Sequence, residues 1–579
     1  MKKINSGSFL LIAALLGSTF AFSQAKSPIS LQRRADAVIG KNQPNYAFPF
    51  NTTLQTSPGA SLVPGLSDGA DVRMFPSSNV QAEVTIVVNK QNPLNLLAAA
   101  NTLTGPYAYN QGFYSSSDGG ATFAGADKLQ NINASYIYGD PSVAFSADNT
   151  AFMTSINANG GYWFQKSTDG GLTWGPGLRG DKGYSFDKEM CTSDDQVGSP
   201  YVNNFYCAWT DFNSGNGAVA FNRSTDKGTT FSNKIQLRSG TVGFGQGTNV
   251  QTGPNGEVYV CWAEHADANS PYAADGLGFS YSLDGGVTFT ASASRKVFDY
   301  KGVRVDGYSS NFNYTRSNDF PAMAVDKSTG PNRGRIYVTY AAKLNDTGRS
   351  VINVRYSDDK GVTWTPLSKL VSITKSGQAW FPWITVDDVT GLVWVVYYAF
   401  DNQSNKYSTN TYVAVSANGG GKWNNLKVSD VPHITAAIDN VNFAYGYAGD
   451  YLGIAAYNGK AYPVWMDNRN GTWQVYCSTV TATRAFTQQQ NTSDEAVAST
   501  GLNIQKLSAG PNPFIGSIRI SLANAVIKTA SLYNQDGTLI KQWTKAPNTL
   551  NVADVPRGTY IIKVTDTNNK MYSQKLIKQ

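Results

Sequence analysis

Three carboxylates, Glu83, Asp140 and Asp450, stand at the same place in three short apolar segments: Glu83-Val-Thr-Ile, Asp140-Pro-Ser-Val and Asp450-Tyr-Leu-Gly. Asp187 and Glu189 lie close to the matching place in a fourth, Lys188-Glu-Met-Cys. Carboxylates crowded at one mouth can exchange protons as acid and base, or ligate a hard cation such as Ca2+ through oxygen. They can equally accept hydrogen bonds from neighbouring backbone and lock the elements together. These three readings stand side by side, and Ca2+ is the one cofactor they admit.

A second set follows a different kind of segment. Asp211, Glu264, Asp467 and Arg469 come after Tyr206–Trp209, Tyr259–Trp262 and Tyr462–Trp465, and the aromatics Trp380, Trp383 and Tyr447 are expected nearby. Aromatic platforms with carboxylates suit sugar rings, whose faces are apolar and whose hydroxyls need acceptors. Asp140, Glu83, Asp450 and Arg469 are therefore the catalytic candidates, with Trp383, Tyr447 and Asp467 for substrate binding. Most of the other aromatics are expected to pack.

Other chemistries lack material. The chain has 2 histidines, His265 and His433, too few for zinc sites or Ser-His-Asp triads. His433 follows Pro432 and reads as a solvated loop residue. Gly243-Phe-Gly-Gln-Gly precedes a strand rather than a helix, so it is no dinucleotide fingerprint. Cys191, Cys207, Cys261 and Cys477 are too dispersed for a metal cluster. Cys191 and Cys207 fall on adjacent strands, either as a disulfide or as buried thiols.

The elements that must hold these residues are strands. Of 579 residues 15% are charged and 12% aromatic, with 55 Gly, which excludes a disordered or coiled-coil chain. An octapeptide recurs six times: Ser116-Ser-Asp118-Gly-Gly-Ala-Thr-Phe123, then the copies centred on Asp169, Asp226, Asp284 and Asp359, and a degenerate copy at Asn418. The third position advances by 51, 57, 58, 75 and 59 residues. Asp followed by Gly-Gly or Lys-Gly makes a tight turn, with Gly taking the positive φ and Asp holding backbone N–H groups.

This octapeptide resembles the Asp-box, or BNR repeat, of sialidase-type β-propellers. The resemblance implies a structural turn away from the active face, so Asp118, Asp169, Asp226, Asp284, Asp359 and Asn418 receive no catalytic role. Two apolar strands precede each box, and counting them gives seven modules, the last without a box; six blades, the number in sialidases, is the alternative. Val72-Arg73-Met74-Phe75 is placed to supply the missing strand of the last blade. Gly139–Val143, Asp187–Met190, Gly449–Gly453 and Pro463–Gly471 further resemble a broader set of exported bacterial sialidase-like proteins. A sialidase needs three arginines, a Tyr-Glu pair and an Asp. Arg73-Met-Phe-Pro76 departs from the expected arginine motif by one residue, and Arg304, Arg316 and Arg469 have no fixed register. Glycan hydrolysis and glycan or protein binding without catalysis are the two functions that follow.

The ends are of another kind. Residues 1–23 read as a cleaved export signal, with Lys2, Lys3 and the apolar run Phe9–Leu16, too short to span a membrane. An N-terminal extension occupies 24–69, the propeller 70–482 and a polar linker 483–503. Residues 504–579 carry Pro511-Asn-Pro-Phe514, Asp536-Gly537 and Arg557-Gly-Thr-Tyr-Ile-Ile-Lys-Val564, the pattern of a small β-sandwich. At these residues the tail resembles the C-terminal sorting domain of the type IX secretion system. That implies a Bacteroidetes-type organism, contact with that secretion machinery, and a secreted or outer-membrane-surface product meeting an extracellular glycan or glycoprotein. The tail from Asn503 holds 10 Lys and Arg against 3 Asp and Glu, and the signal adds Lys2 and Lys3, so the propeller itself is slightly acidic although the whole chain is +7. The basic balance thus argues for neither nucleic acid nor membrane.

Overall fold

The computed structural model describes residues 65–483 and 507–579, apart from 105–108, 133–136, 158–159, 184, 215–216, 240–242, 266–272, 291–295, 304, 307–314, 345–348, 366–368, 373–377, 401–407, 436–437, 439–446, 511–512, 523–525, 535–537 and 569–570. The export signal, most of the linker, Arg304, Pro511-Asn512 and Asp536-Gly537 lie outside the described residues. The chain divides into two compact units, Met1–Gln488 and Gln489–Gln579. The described residues are all-β apart from one 3-10 turn at Phe212–Ser214.

In the first unit, successive stretches of chain fold into antiparallel meanders of four strands each. Val80–Val88, Leu96–Leu103, Tyr109–Ser116 and Ala124–Ala126 form the first sheet. The inner strands of the next five are Ile137–Phe145, Phe186–Ser193, Phe244–Thr252, Ala322–Val325 and Ala379–Val386. The seventh sheet starts at Gly453–Tyr457 and continues through Lys460–Asp467 and Gln474–Cys477. Each inner strand packs against the next, and Gly453–Tyr457 packs against Val80–Val88, so the inner strands close a ring. This is the propeller arrangement.

The last sheet is completed from the N-terminal side. Val72 pairs with Cys477 and Arg73 with Tyr476, which leaves the third strand no free edge. Leu66–Asp68 also joins this sheet, pairing with Val480–Ala482, so the paired region begins four residues ahead of residue 70.

Ring closure explains the strand composition. The second strand of each sheet lies between two neighbouring sheets, so both of its faces are covered. Leu96–Leu103, Val258–His265 and Val393–Phe400 are buried at every position. They read as continuous apolar runs instead of alternating ones. Trp209, Trp262, Trp394 and Trp465 are among the largest fully buried side chains.

All six octapeptides form the same turn. In the second, Ser167 Oγ donates to Asp169 Oδ1 at 2.7 Å, Thr173 N donates to the same oxygen at 3.0 Å, and Gly171 N donates to Ser167 Oγ at 2.9 Å. Asn418 Oδ1 still accepts from Lys422 N at 2.8 Å, so the degenerate copy keeps the turn. The closing aromatic packs on the preceding sheet: Trp174 on Phe113, Phe231 on Phe164, Phe289 on Phe221 and Trp364 on Phe279. The repeat therefore joins neighbours as well as turning the chain.

His433 corrects the solvated-loop expectation. It sits in the short strand His433–Ile434, 1% exposed, against the rings of Tyr398 and Trp473. A histidine after proline carries no marker of burial; the paired partner Thr409 supplies it.

The second unit has two antiparallel sheets, one of Leu507–Gly510, Ser517–Leu522 and Thr549–Asn551, the other of Leu539–Trp543, Ile527–Asn534, Gly558–Asp566 and Met571–Lys578. Ile518, Ile520, Leu550, Leu532, Ile562, Val564 and Leu576 from both sheets are fully buried in one core, with Phe514. Ser517–Leu522 alternates exposed and buried residue by residue, as one covered face requires.

Candidate functional site

Five inner strands carry a bulge at the equivalent place. The register shifts between Ala82 and Thr85, Gly139 and Ser142, Asp187 and Met190, Gln246 and Asn249, and Trp380 and Trp383. The first bulged residue has positive φ each time: Glu83 (54°), Asp140 (54°), Lys188 (51°), Gly247 (68°) and Phe381 (50°). Four of these five are not glycine, and such a backbone costs about 1–3 kcal/mol per residue unless the surroundings fix it. Bulges re-aim side chains, and here they bring Glu83, Asp140 and Lys188 together at one end of the ring.

Glu83 is 2% exposed. Asn101 Nδ2 donates to its Oε2, the Tyr447 hydroxyl bonds it, and it shares a hydrogen bond with Asp140. Burial raises the Glu83 carboxyl well above its usual range, and the charges of Asp140 and Asp450 raise it further. Asp140 is also raised by burial, but the bond from Glu83 and the charge of Lys188 hold it back. Of the two, Glu83 is the carboxyl whose surroundings favour the proton. Two carboxyls in contact cannot both ionise freely.

Around this pair lie two cations. Lys188 donates its backbone N–H to Asp140 Oδ2 at 2.9 Å, and its ammonium lies 3.2 Å from the Tyr451 ring centre and 5.0 Å from that of Trp383. Burial lowers Lys188 to about 8, against the pull of Asp140, Glu83 and Asp450. Arg316 Nη2 donates to Asp450 Oδ2 at 2.6 Å, Asn318 Nδ2 to Asp450 Oδ1 at 2.9 Å, and the guanidinium lies 4.9 Å from the Tyr447 ring centre. Gln246 Nε2 donates to Asp187 Oδ2 at 2.5 Å. Asp140, Asp187, Arg316, Trp383 and Asp450 are partly open to solvent, while Glu83, Lys188, Tyr447 and Tyr451 lie buried.

The far end of the same strands is bridged by charge. Lys90 pairs with Asp195 at 2.5 Å and with Asp388, and Lys327 pairs with Asp195 at 2.9 Å, tying together four sheets. At the bulged end Arg316 and Asp450 are 16% and 21% exposed, so solvent reaches the carboxylates there, and this end is the mouth.

The structure therefore gathers Glu83, Asp140, Asp450, Trp383 and Tyr447, and sets Arg469 and Asp467 elsewhere. Arg469 Nη2 pairs with Asp467 at 2.5 Å and its Nη1 with Asp71 at 2.7 Å, with Asp467 fully buried. This repeats a device at the ends of second strands: Asp211 pairs with Lys234 and Glu264 with Arg238. Arg73 is bonded to Gln474 and Ser77. Of the three described arginines among those considered, Arg73, Arg316 and Arg469, Arg316 is the one that reaches the mouth. Glu189 is fully buried, its carboxyl is raised by burial, and neither oxygen has a hydrogen-bond partner. Among the described residues no three His, Cys, Asp or Glu are grouped to hold a metal.

Sequence reasoning missed Lys188, Asn318 and Tyr451. Lys188 heads its segment just as Glu83 and Asp140 head theirs. Attention to carboxylates favoured Asp187 and Glu189, one place to either side.

Comparison with solved structures gives distant likenesses. A protein of unknown function from Dyadobacter fermentans matches at 15% identity and TM-score 0.41, over 72% of this chain and all of its own. An α-L-arabinofuranosidase from Fusarium graminearum matches at 14% and 0.37, over 60% of this chain and 93% of its own. A sialidase from Streptococcus pneumoniae matches at 12% and 0.34, over 72% and 71%. No curated protein matches the chain. Among the described residues no helix is long and apolar enough to cross a membrane. Residues 508–579 match the family model described as a secretion system C-terminal sorting domain, which marks the chain for export to the cell surface or beyond.

Proposed function

We propose that the chain is an exported seven-bladed Asp-box propeller that hydrolyses a neutral extracellular glycan at the mouth formed by Glu83, Asp140 and Asp450. The observation that carries this reading is the buried Glu83 carboxyl, raised by burial and by the neighbouring charges of Asp140 and Asp450. A carboxyl raised by burial is suited to act as a general acid. Trp383, partly open to solvent, offers a ring edge for a sugar.

A neutral substrate fits better than a sialic acid. Both cations at the mouth are already engaged, Arg316 by Asp450 and Lys188 by the aromatic rings. An added carboxylate would meet several acidic groups and one committed arginine. The test is release of reducing sugar by the purified propeller from neutral plant and microbial polysaccharides and from sialosides, with Glu83→Gln and Asp140→Asn as controls. Release from a neutral polymer that both variants abolish supports the reading. Binding without release favours the non-catalytic alternative, and sialic acid release overturns the substrate class.

A further inference from the structure

Of the chain's 4 cysteines, Cys191 and Cys207 sit directly opposite each other on adjacent antiparallel strands, as thiols. The backbone shows which kind of pair this is. Cys191 N donates to Ser142 Oγ at 2.9 Å, in the neighbouring sheet, and not across to Cys207. Cys191 and Cys207 are therefore a non-hydrogen-bonded pair, where facing Cα atoms lie about 4.5 Å apart and side chains are closest. That separation is inside the window of about 4.4–6.8 Å that a disulfide needs. Both side chains belong to the same buried cluster. The other two cysteines have no such partner: Cys261 faces Asn249 and Phe279, and Cys477 faces Val464 and Val72. The sorting tail sends the chain out of the reducing cytoplasm, into compartments where disulfides persist.

We propose that Cys191 and Cys207 are an oxidation site, joined as a cross-strand disulfide in the exported protein. One thiolate attacks the disulfide of an oxidised dithiol carrier to give a mixed disulfide. The second thiolate displaces the carrier's sulfur and closes the Cys191–Cys207 bond; the carrier leaves as its dithiol, with the two electrons and two protons. The folded sheet hides both thiols, and burial pushes Cys191 up to about 12, so the exchange belongs to folding, before neighbouring sheets cover the hairpin. The bond fixes strand Phe186–Ser193, which carries Asp187 and Lys188 to the mouth. The inference is independent of what the mouth binds.

The test uses full-length protein exported through an oxidising periplasm, unfolded without reductant, alkylated and digested. A Cys191–Cys207 linked peptide, with Cys261 and Cys477 alkylated, is the expected result. Four alkylated cysteines overturn the proposal, as does a bond to Cys261 or Cys477. As a second measurement, Cys191→Ser/Cys207→Ser should melt at one temperature whether or not it is refolded with reductant, while Cys261→Ser should melt lower after reduction. A Cys261→Ser variant indifferent to reductant also overturns it.

Discussion

Arg316 grips Asp450 at 2.6 Å, and this ion pair joins the small ribbon Val305–Asp306/Arg316–Ser317 to the head of the seventh sheet. Asp450 is pinned a second time by Asn318, so its carboxylate cannot swing away when the cation is lost. Arg316→Ala strands a part-buried carboxylate beside Glu83 and Asp140. An uncompensated charge of this kind costs on the order of 1–3 kcal/mol at a site still reached by solvent. Arg316→Ala/Asp450→Asn should recover most of the loss, because the charge left behind is removed. Denaturant melts of the single and double variants check this; a double-variant loss equal to the sum of the two single losses would mean the pair is not coupled.

Glu83 gives a pH signature with a definite sign. Its folded carboxyl is raised above the ordinary 4.5 by burial and by Asp140 and Asp450. Once pH passes 4.5 the unfolded chain releases this proton and the folded chain holds it, so stability falls as pH rises until the folded group titrates. Glu83→Gln keeps a donor toward Asp140 and has no proton to lose. Its melting temperature should approach that of wild type near pH 4 and exceed it increasingly at higher pH. A variant that is less stable at pH 8 would show that Glu83 is ionised in the fold.

Much of this was legible in the chain and some was not. The octapeptide fixes a turn through local chemistry, so Ser116, Asp118 and Thr122 announce their bonds by spacing alone. The closing strand Val72–Arg73 was legible because a third strand without a fourth needs a partner. The bulges were not. A bulge inserts one residue against a partner strand and leaves no mark in composition, yet it sets Lys188 with its backbone N–H on Asp140. Arg469 and Asp467 resembled a site because charged residues close to Trp465 suit one. Asp71, nearly 400 positions away in the chain, claims Arg469, and only folding brings it there.

His433 should impose acid sensitivity. Burial lowers it to about 4 from 6.5, with Arg469 reinforcing the shift and Asp467 opposing it. Below pH 6.5 the unfolded chain takes up a proton that the folded chain refuses until about pH 4. Stability is thus fully present above 6.5 and is lost as pH falls, by about 1.4 kcal/mol per unit and about 3 kcal/mol across the window. His433→Phe keeps an aromatic ring against Tyr398 and Trp473 and should flatten that limb. An unchanged slope between pH 6.5 and 4 would place the acid sensitivity elsewhere.

The octapeptide glycines separate two causes that usually act together. Gly228 has φ of +76°, and a Cβ there would lie 1.9 Å from Phe164 Cε1 in the preceding sheet. The neighbouring Lys227 also has positive φ, at 57°, but it carries a side chain in that conformation. Backbone strain alone is thus tolerated in this turn, and what Gly228 requires is space for Phe164. Gly228→Ala should cost at least about 2 kcal/mol, from strain plus displacement of a packed ring. Gly198, with no atom within 4 Å of its would-be Cβ and no positive φ, should accept alanine without loss and with a gain of up to about 1 kcal/mol from the stiffer unfolded chain. Gly228→Ala/Phe164→Leu should then be less destabilised than the sum of its parts, since the smaller side chain vacates the contested volume. Additive losses in chemical denaturation would assign the cost to φ and not to the ring.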